Sequence, residues 1–233
     1  MHQQLNENLQ EIRDRIETAA KKSGRLAADV KMVAVSKYLD VNATSQLVGT
    51  GQTVLGESRP QVLWEKAEQL ADHSIEWHMI GHLQRNKVNR TIPLCSLVHS
   101  VDSWRLLESI RTASVAAERT TNCLLEVNVS GEAAKHGLVA DEVGSVLERA
   151  AGLDGIRICG LMGMGSLAGG QEQNRAEFAA LRELSGKLEK WNAANVELTE
   201  LSMGMSGDFE VAIEEGATIV RIGSVLFEGC QFE

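Results

Sequence analysis

Lys37 is the residue in this sequence with the clearest chemical potential. It directly follows the apolar run VKMVAVS at positions 30–36, so its amine is expected at the end of a buried strand. A desolvated lysine amine attacks aldehydes and forms a Schiff base with them. Two interpretations are open: Lys37 is a nucleophilic amine of this kind, or it is a surface lysine that closes a strand.

Arg221 is a cation inside an apolar segment, TIVRIG at positions 218–223. A guanidinium in a buried strand costs free energy unless a counter-ion or a ligand satisfies it. Two interpretations are again open. Arg221 either forms an internal ion pair, with Glu57 or Glu126 as its partner, or contacts a bound molecule.

The loops on both sides of this segment contain small and hydroxyl residues. Ser206-Gly207 opens a short predicted helix, whose N–H groups and dipole favour an anion. Gly223-Ser224 supplies a second loop that can approach a ligand closely and donate a hydroxyl. The alternative is a plain helix N-cap at Ser206 and a tight turn. An amine, an anion pocket and a strand cation together match pyridoxal 5′-phosphate (PLP), which carries an aldehyde, a phosphate and a ring nitrogen.

These residues need secondary-structure elements that bring them together. Short apolar runs rich in β-formers recur along the sequence, at 30–37, 53–58, 75–81, 94–101, 122–129, 156–164, 200–205 and 218–224. Most are apolar throughout, which is typical of parallel strands buried on both faces. Amphipathic patterns predict helices at 61–73, 103–119, 140–152, 173–192 and 207–216, and a further helix over the first 22 residues or so.

This alternation predicts an α/β fold, a single (β/α)8 barrel with an additional N-terminal helix, forming one domain over residues 1–233. An open, doubly wound sheet is the alternative, but no GxGxxG sequence follows the first strand. In such barrels the chemistry lies at the C-terminal ends of the strands. A phosphate site is commonly built there from the loops after strands 7 and 8, where Ser206-Gly207 and Gly223-Ser224 lie.

Composition narrows the class of protein. The 23 basic and 32 acidic side chains give a net charge of −9, which disfavours binding to nucleic acid or to an anionic membrane surface. No apolar run approaches the ~18 residues of a membrane span, and the charged N-terminus lacks the apolar core of a secretion signal. The four cysteines form no CxxC pair, so we expect reduced thiols in a cytoplasmic protein.

Signals for other kinds of site are weak. His78 and His82 are four residues apart, but they straddle a strand end instead of sharing a helix face, so we predict no metal site. Cys95, Cys123 and Cys159 lie inside predicted strands and are expected in the core. The sequence has no GxSxG elbow of a serine hydrolase.

Four stretches resemble the pyridoxal phosphate homeostasis family. They are VAVSK at 33–37, WHMIGHLQRNK at 77–87, EVNVSGEAAKHG at 126–137 and LSMGMSGDFEVAIEEGATIVRIGSVLFEG at 201–229. The resemblance covers nearly the whole chain. It implies a (β/α)8 barrel similar to the N-terminal domain of alanine racemase, the fold-type III class of PLP-binding proteins.

The same resemblance implies roles for individual residues. Lys37 is expected to carry PLP as an internal aldimine, Ser206, Gly223 and Ser224 to contact its phosphate, and Arg221 to contact its ring nitrogen. One position departs from the family pattern. Where the family often has GEN-x-x-Q after strand 2, this sequence has GESRPQ at 56–61, and a serine at position 58 cannot offer both functions of an amide.

The resemblance also bears on whether the protein is an enzyme. A cationic Arg221 favours an unprotonated pyridine ring, which is a weaker electron sink than a ring held by a carboxylate. A racemase needs a second acid/base, which in alanine racemase-like enzymes is a tyrosine from a partner subunit's second domain. This sequence has one tyrosine, Tyr38, which strand alternation turns away from the barrel interior.

We therefore predict a PLP-binding carrier or regulator without catalytic residues, and a weak amino-acid racemase is the alternative. The expected partners are PLP and apo-enzymes that need it. The expected assembly state is a monomer or a weak homodimer.

Overall fold

Eight parallel strands close into a barrel in this protein. The structure, a computed structural model, describes residues 2–130, 136–166 and 169–231. Each strand pairs with the next one along the chain, and the last strand pairs with the first. This closure confirms the predicted (β/α)8 barrel over the open sheet. Residues 131–135, which belong to the stretch 126–137, lie outside the described residues.

Every predicted apolar run overlaps a strand. The strands are β1 (Lys31–Val35), β2 (Val54–Glu57), β3 (Glu76–Met79), β4 (Leu97–Val101), β5 (Thr121–Glu126), β6 (Ile156–Met162), β7 (Val196–Ser202) and β8 (Ile219–Ile222). The predicted start of β7 at position 200 is wrong. The first five residues of this strand alternate between buried or half-buried and exposed positions, so its first half is not an apolar run. Cys95 is buried, but it precedes β4 and does not lie inside a strand.

Helices connect the strands on the outside of the barrel. They are α1 (His2–Lys22), α2 (Val41–Gly49), α3 (Pro60–Gln69), α4 (Val88–Thr91), α5 (Trp104–Ala116), α6 (Ala140–Ala150), α7 (Gly170–Leu188) and α8 (Phe209–Glu214). The sequence analysis missed α2 and α4, because both are short and α2 is rich in polar and β-branched residues. In the part of the chain that the structure describes, no helix has the length and apolarity to cross a bilayer.

The predicted N-cap of α8 at Ser206 is wrong. The helix begins at Phe209, and Asp208 occupies the cap position. The Asp208 carboxylate accepts a hydrogen bond of 2.6 Å from the N–H of Met205, which fixes residues 205–208 as a turn before the helix. Gly216, with a φ of 102°, ends the helix region as predicted. Ser206-Gly207 therefore lies in this turn.

Alternate residues of the strands face two separate apolar regions. Val33, Leu97, Leu124, Met162 and Ile219 form a small cluster inside the barrel. Their neighbours in sequence belong to the large cluster between the strands and the helices. This period of two is the geometry of a β-strand. It places the side chains of His78, His99, Ser202 and Arg221 in the interior as well.

Gly160 allows β6 to approach β7 closely. A Cβ atom at this position would lie 1.8 Å from the backbone oxygen of Glu200, so no other residue fits without a shift of the backbone. The pairing register of the two strands shifts at the same place. Beyond the shift, the N–H of Gly163 donates to the backbone oxygen of Ser202 at 3.0 Å. The approach thereby brings Gly163 and Ser202 together beside β8.

Candidate functional site

Lys37 lies in a turn two residues after the end of β1, and its side chain is half-buried. Its Nζ atom lies 4.9 Å from the centroid of the Tyr38 ring. Tyr38 is 87% exposed, which confirms that it does not fill the barrel interior. Strand alternation is not the reason, because β1 has already ended at Val35. The aromatic ring stays beside the amine.

A buried ion pair holds the main chain next to Lys37. Lys66 of α3 donates to Glu57 Oε1 at 2.5 Å and to the backbone oxygen of Ser36 at 2.7 Å. The Ser36 hydroxyl donates to the same carboxylate oxygen at 2.7 Å. None of these three residues is more than 2% exposed. The pair therefore fixes the residue that precedes Lys37.

The sequence analysis missed Lys66, although a signal was present. Leu63, Ala67 and Leu70 mark the inner face of α3, and position 66 falls on the same stripe at helical spacing. A lysine on a buried stripe requires a counter-ion. That counter-ion is Glu57, which the sequence analysis considered only as a partner of Arg221.

The loops after β7 and β8 are joined by a hydrogen bond. The N–H of Gly223 donates to Ser206 Oγ at 3.1 Å. The Ser206 hydroxyl accepts this bond and keeps its own hydrogen for another acceptor. A Cβ atom at Gly223 would lie 3.4 Å from Val35 Cβ, so the loop after β8 packs against the end of β1. The three strand ends that precede Lys37, Ser206 and Gly223 therefore meet in one part of the barrel mouth.

These loops also present backbone donors. The N–H groups of Ser206, Gly207 and Ser224 have no acceptor among the residues that the structure describes. A Cβ atom at Gly207 would meet no atom within 4 Å, so the space beside this residue is open. Successive free N–H groups in a turn form a concave donor surface that suits an anion. Arg221 N donates to Gly204 O at 3.0 Å, which ties this turn to β8.

Arg221 enters the barrel interior from β8 and is 4% exposed. Its Nη1 donates to Ser202 Oγ at 2.5 Å, and its Nη2 donates to the backbone oxygen of Gly163 at 3.1 Å. Burial lowers the pKa of this guanidinium to about 10, while the charges of Glu126 and Asp208 act in the opposite direction. Two of its five N–H groups are thus used by the protein.

Neither carboxylate considered as an ion-pair partner binds Arg221 directly. Glu57 faces away from the barrel interior and pairs with Lys66. Burial raises the pKa of Glu126, and the nearby charge of Asp102 raises it further. Among the described residues Arg221 makes no ion pair within 4.0 Å. Contact with a bound molecule is the interpretation that stays open.

His78 and His82 do not share a site. His78 is buried, and its Nδ1 lies 2.9 Å from His99 Nε2. The His82 side chain is 48% exposed, and its Nδ1 lies 3.1 Å from Asp102 Oδ2. Potential ligand atoms of His82, Asp102 and His136 lie within 4.8 Å of one another. The sequence analysis did not anticipate this grouping, because its members come from three separate loops. The absence of a metal site stays a prediction.

All four cysteines are free thiols in the structure. Burial raises the pKa of Cys95 to about 12. Burial also raises the pKa of Cys123 well above its ordinary value. Thiols with such a raised pKa are poor nucleophiles at neutral pH. Neither Cys95 nor Cys123 is therefore a candidate nucleophile.

Comparisons with known proteins agree on the family and the fold. The family model of the alanine racemase N-terminal domain matches residues 2–230. A pyridoxal phosphate homeostasis protein from Aquifex aeolicus is 38% identical over 221 residues, which cover 95% of this chain and 96% of that protein. One from Pseudomonas aeruginosa is 38% identical over 96% of this chain and 94% of its own length. The structure of PipY from Synechococcus elongatus with PLP bound superposes with a TM-score of 0.84 at 31% identity, covering 96% of this chain and 99% of that one.

Removal of the buried lysine should destabilise the protein strongly. We expect Lys66→Met to lower the free energy of unfolding by about 3–5 kcal/mol, because it leaves the Glu57 carboxylate buried without a cation. The double variant Lys66→Met/Glu57→Gln should recover a large part of this loss. Urea unfolding at neutral pH, followed by circular dichroism, measures both.

The matched control is Lys21→Met. Lys21 pairs with Glu17 on the surface of α1, where its side chain is 71% exposed. Exposed pairs of this kind contribute about 1 kcal/mol or less. Equal losses in the Lys66 and Lys21 variants would contradict the role given to the buried pair.

Proposed function

Because the chain belongs to the pyridoxal phosphate homeostasis protein family, we propose that it binds PLP covalently through Lys37 and controls the amount of free PLP. One observation carries the proposal: Gly223 packs against both Val35 and Ser206, so an amine and two donor-rich loops share one part of the barrel mouth. PLP-bound PipY, with its high structural similarity, supports PLP as the ligand.

The residues present fit this cofactor. The Ser206 hydroxyl and the N–H groups of Gly207 and Ser224 would hold the phosphate, and Gly223 lets the second loop approach it. Arg221 has N–H groups beyond those used by Ser202 and Gly163, and one of them would donate to the ring nitrogen. When bound, PLP supplies an aldehyde that condenses with amines. The chain's own contribution is the Lys37 amine and a fixed set of donors around it.

We propose that the protein acts as a carrier without enzyme-like turnover. Its relatives are named as homeostasis proteins, and this does not favour the racemase alternative. Arg221 is a permanent donor that cannot take up the ring-nitrogen proton. The single tyrosine, Tyr38, is largely exposed and not fixed in the barrel. Arg221 would thus hold the cofactor ring, and neither Arg221 nor Tyr38 supplies a second, positioned acid/base.

Storage and delivery follow from reversible covalent binding. A lysine link protects a reactive aldehyde, and exchange with an incoming amine releases it, so we propose apo-enzymes that need PLP as recipients.

We also propose that residues 1–233 form one domain, which is supported by the shared apolar cluster outside the barrel. The exposed large apolar side chains, Leu26, Tyr38, Val115, Val139 and Met164, lie on separate loops or helix ends, which supports a monomer or weak homodimer. Four free thiols support a cytoplasmic location.

Borohydride should fix PLP on Lys37. Purified protein supplied with excess PLP is expected to turn yellow, and reduction should leave one phosphopyridoxyl group on the peptide that contains Lys37. Peptide mass spectrometry locates the group. Lys37→Gln should lose both colour and adduct, whereas the surface variant Lys21→Gln should keep both. An adduct that stays in the Lys37 variant, or that never forms on Lys37, contradicts the assignment.

Ser206→Ala should weaken binding of PLP but not of pyridoxal. Loss of one charge-assisted hydrogen bond to the phosphate corresponds to a decrease in affinity of about tenfold or more. Pyridoxal lacks the phosphate and should bind both forms equally. Titrations followed by absorbance give the two affinities, with Ser109→Ala on the outer helix α5 as control. An equal loss for both ligands would show that Ser206 does not act on the phosphate.

Amino acids should not be turned over at an enzyme-like rate. In heavy water, we expect deuterium exchange at the α-carbon of alanine to be no faster with the protein than with the same concentration of free PLP. Proton NMR measures the exchange. Fast exchange that disappears in Lys37→Gln would refute the carrier proposal, and its loss in Tyr38→Phe would identify Tyr38 as the acid/base.

A further inference from the structure

A chain of polar side chains crosses the barrel interior, and the proposed function uses only its last member. Glu76 Oε1 lies 2.8 Å from His78 Nε2, and His78 Nδ1 lies 2.9 Å from His99 Nε2. His99 Nδ1 lies 2.9 Å from Ser202 Oγ, which accepts the hydrogen bond from Arg221. The chain thus links β3, β4, β7 and β8.

The middle of the chain is completely enclosed. His78, His99 and Ser202 each have 0% exposure, whereas the Glu76 side chain at the other end is 38% exposed. A buried neutral imidazole needs an acceptor for its N–H and a donor for its other nitrogen, because these partners offset the loss of hydration. Each of the two rings here has a polar partner at both nitrogens. The enclosure therefore restricts how protons can be arranged along the chain.

The ends of the chain determine the direction of its hydrogen bonds. The hydrogen bond from His78 lowers the pKa of Glu76 to about 2, so this carboxylate is ionised at neutral pH and can only accept. At the other end, a guanidinium can only donate. One arrangement gives every contact from Glu76 to Arg221 one donor and one acceptor. In it both histidines are neutral with the proton on Nε2, so that His78 donates to Glu76 and His99 donates to His78. Ser202 then donates to His99 Nδ1 and accepts from Arg221.

The alternative arrangement leaves a group unsatisfied. If His78 were cationic, it would donate to His99, and His99 would donate through Nδ1 to Ser202. The Ser202 hydroxyl hydrogen would then have neither His99 nor Arg221 as an acceptor. Burial and the charge of Arg221 also hold the pKa of His99 well below its ordinary value. The neutral arrangement is the one in which every contact is satisfied.

We propose that His78, His99 and Ser202 are positioning residues, which keep a lone pair of Ser202 directed at Arg221 and so orient this guanidinium toward the ring nitrogen of PLP. A serine that rotates freely can turn its hydrogen toward Arg221 and lose the contact. The two histidines remove this freedom, because His99 Nδ1 engages the hydroxyl hydrogen. The role toward PLP rests on the proposed function, whereas the direction of the chain does not.

Other charged groups surround the chain without joining it. Lys31 of β1 donates to Glu76 at 2.9 Å and stabilises the anionic end. Glu126 of β5 and Asp208 before α8 act on Arg221 through their charges. The Glu200 carboxylate of β7 accepts instead from the Thr218 hydroxyl at 2.5 Å. None of these groups supplies an alternative acceptor for the Ser202 hydroxyl among the described residues.

The direction of these hydrogen bonds can be tested without cofactor. Long-range proton–nitrogen correlation spectra of the ¹⁵N-labelled protein report the tautomer and charge of each of the six histidines. At neutral pH we expect the rings of His78 and His99 both to be neutral, each with its proton on Nε2. His78→Gln and His99→Gln assign the signals. A cationic or Nδ1–H ring at either position overturns the proposed direction.

The positioning role is tested with PLP labelled with ¹⁵N at the ring nitrogen. Ser202→Ala should shift the ring-nitrogen signal and lower the affinity for PLP about tenfold, since Arg221 loses one of its two anchors. Ser202→Thr keeps the hydroxyl and should restore both values. The control is Ser114→Ala, a fully buried serine on α5 that hydrogen-bonds Ile110 and Thr121.

The outcomes separate this inference from the proposed function. A wild-type ring-nitrogen signal in Ser202→Ala overturns the positioning role, even if the affinity falls. If Ser202→Ala does not fold, His99→Asn and His99→Leu replace it, because asparagine keeps an acceptor near Nδ1 and leucine does not. Equal signals in these two variants also overturn the role. If the wild-type protein forms no adduct on Lys37, the proposed function and the positioning role fail together, and the tautomers still decide the direction.

Discussion

Burial of the Arg221 guanidinium inside a closed barrel is the constraint on which the rest of the polar interior depends. At 4% exposure the cation has lost nearly all of its hydration, and no carboxylate contacts it directly among the described residues. Two of its five N–H groups donate to oxygens of Ser202 and Gly163. Neutral acceptors of this kind leave the charge available to a ligand, whereas a direct ion pair would consume it.

A second buried cation in the wall of the barrel is bound by a carboxylate instead of by neutral oxygens. Lys66 lies on the helix side of the strands and is neutralised by Glu57 at 2.5 Å. Its remaining contact, to the backbone of Ser36, stiffens the chain just before Lys37. Lys66 is therefore neutralised by a carboxylate, whereas Arg221 contacts only neutral oxygens among the described residues. Of these two buried cations, Arg221 is therefore the one that we propose as a contact of the cofactor.

A carrier and an enzyme can share this barrel and differ in a few groups. Both need an amine, an anion site and a donor for the ring nitrogen. An enzyme also needs an acid/base held at the substrate, and rigid placement is what makes such a group effective. The one tyrosine beside Lys37 is 87% exposed, so its position is not held by packing. The carrier proposal rests on this combination of donors held in the barrel and an exposed tyrosine that packing does not fix.

The fold class, the strands and the candidate residues could be predicted from the sequence alone. Apolar runs and helical patterns are local properties, so they revealed all eight strands and the convergence of Lys37, Ser206, Gly207, Gly223 and Ser224 at the strand ends. The motifs determined the family, which the comparisons bear out. Local patterns failed where a strand alternates, as in the first half of β7, and where a helix is short, as in α2.

Which polar groups contact one another could be read only from the folded barrel. Glu57 was one of two carboxylates considered as a partner of Arg221, but it pairs with Lys66, because the period of two turns its side chain out of the barrel. The contact between His99 and Ser202 joins residues 103 positions apart on opposite strands, and no spacing in the sequence encodes it. Hydrogen bonds across a closed barrel depend on strand order and register together. Strand order and register across the barrel are defined only when all eight strands have paired and the barrel has closed.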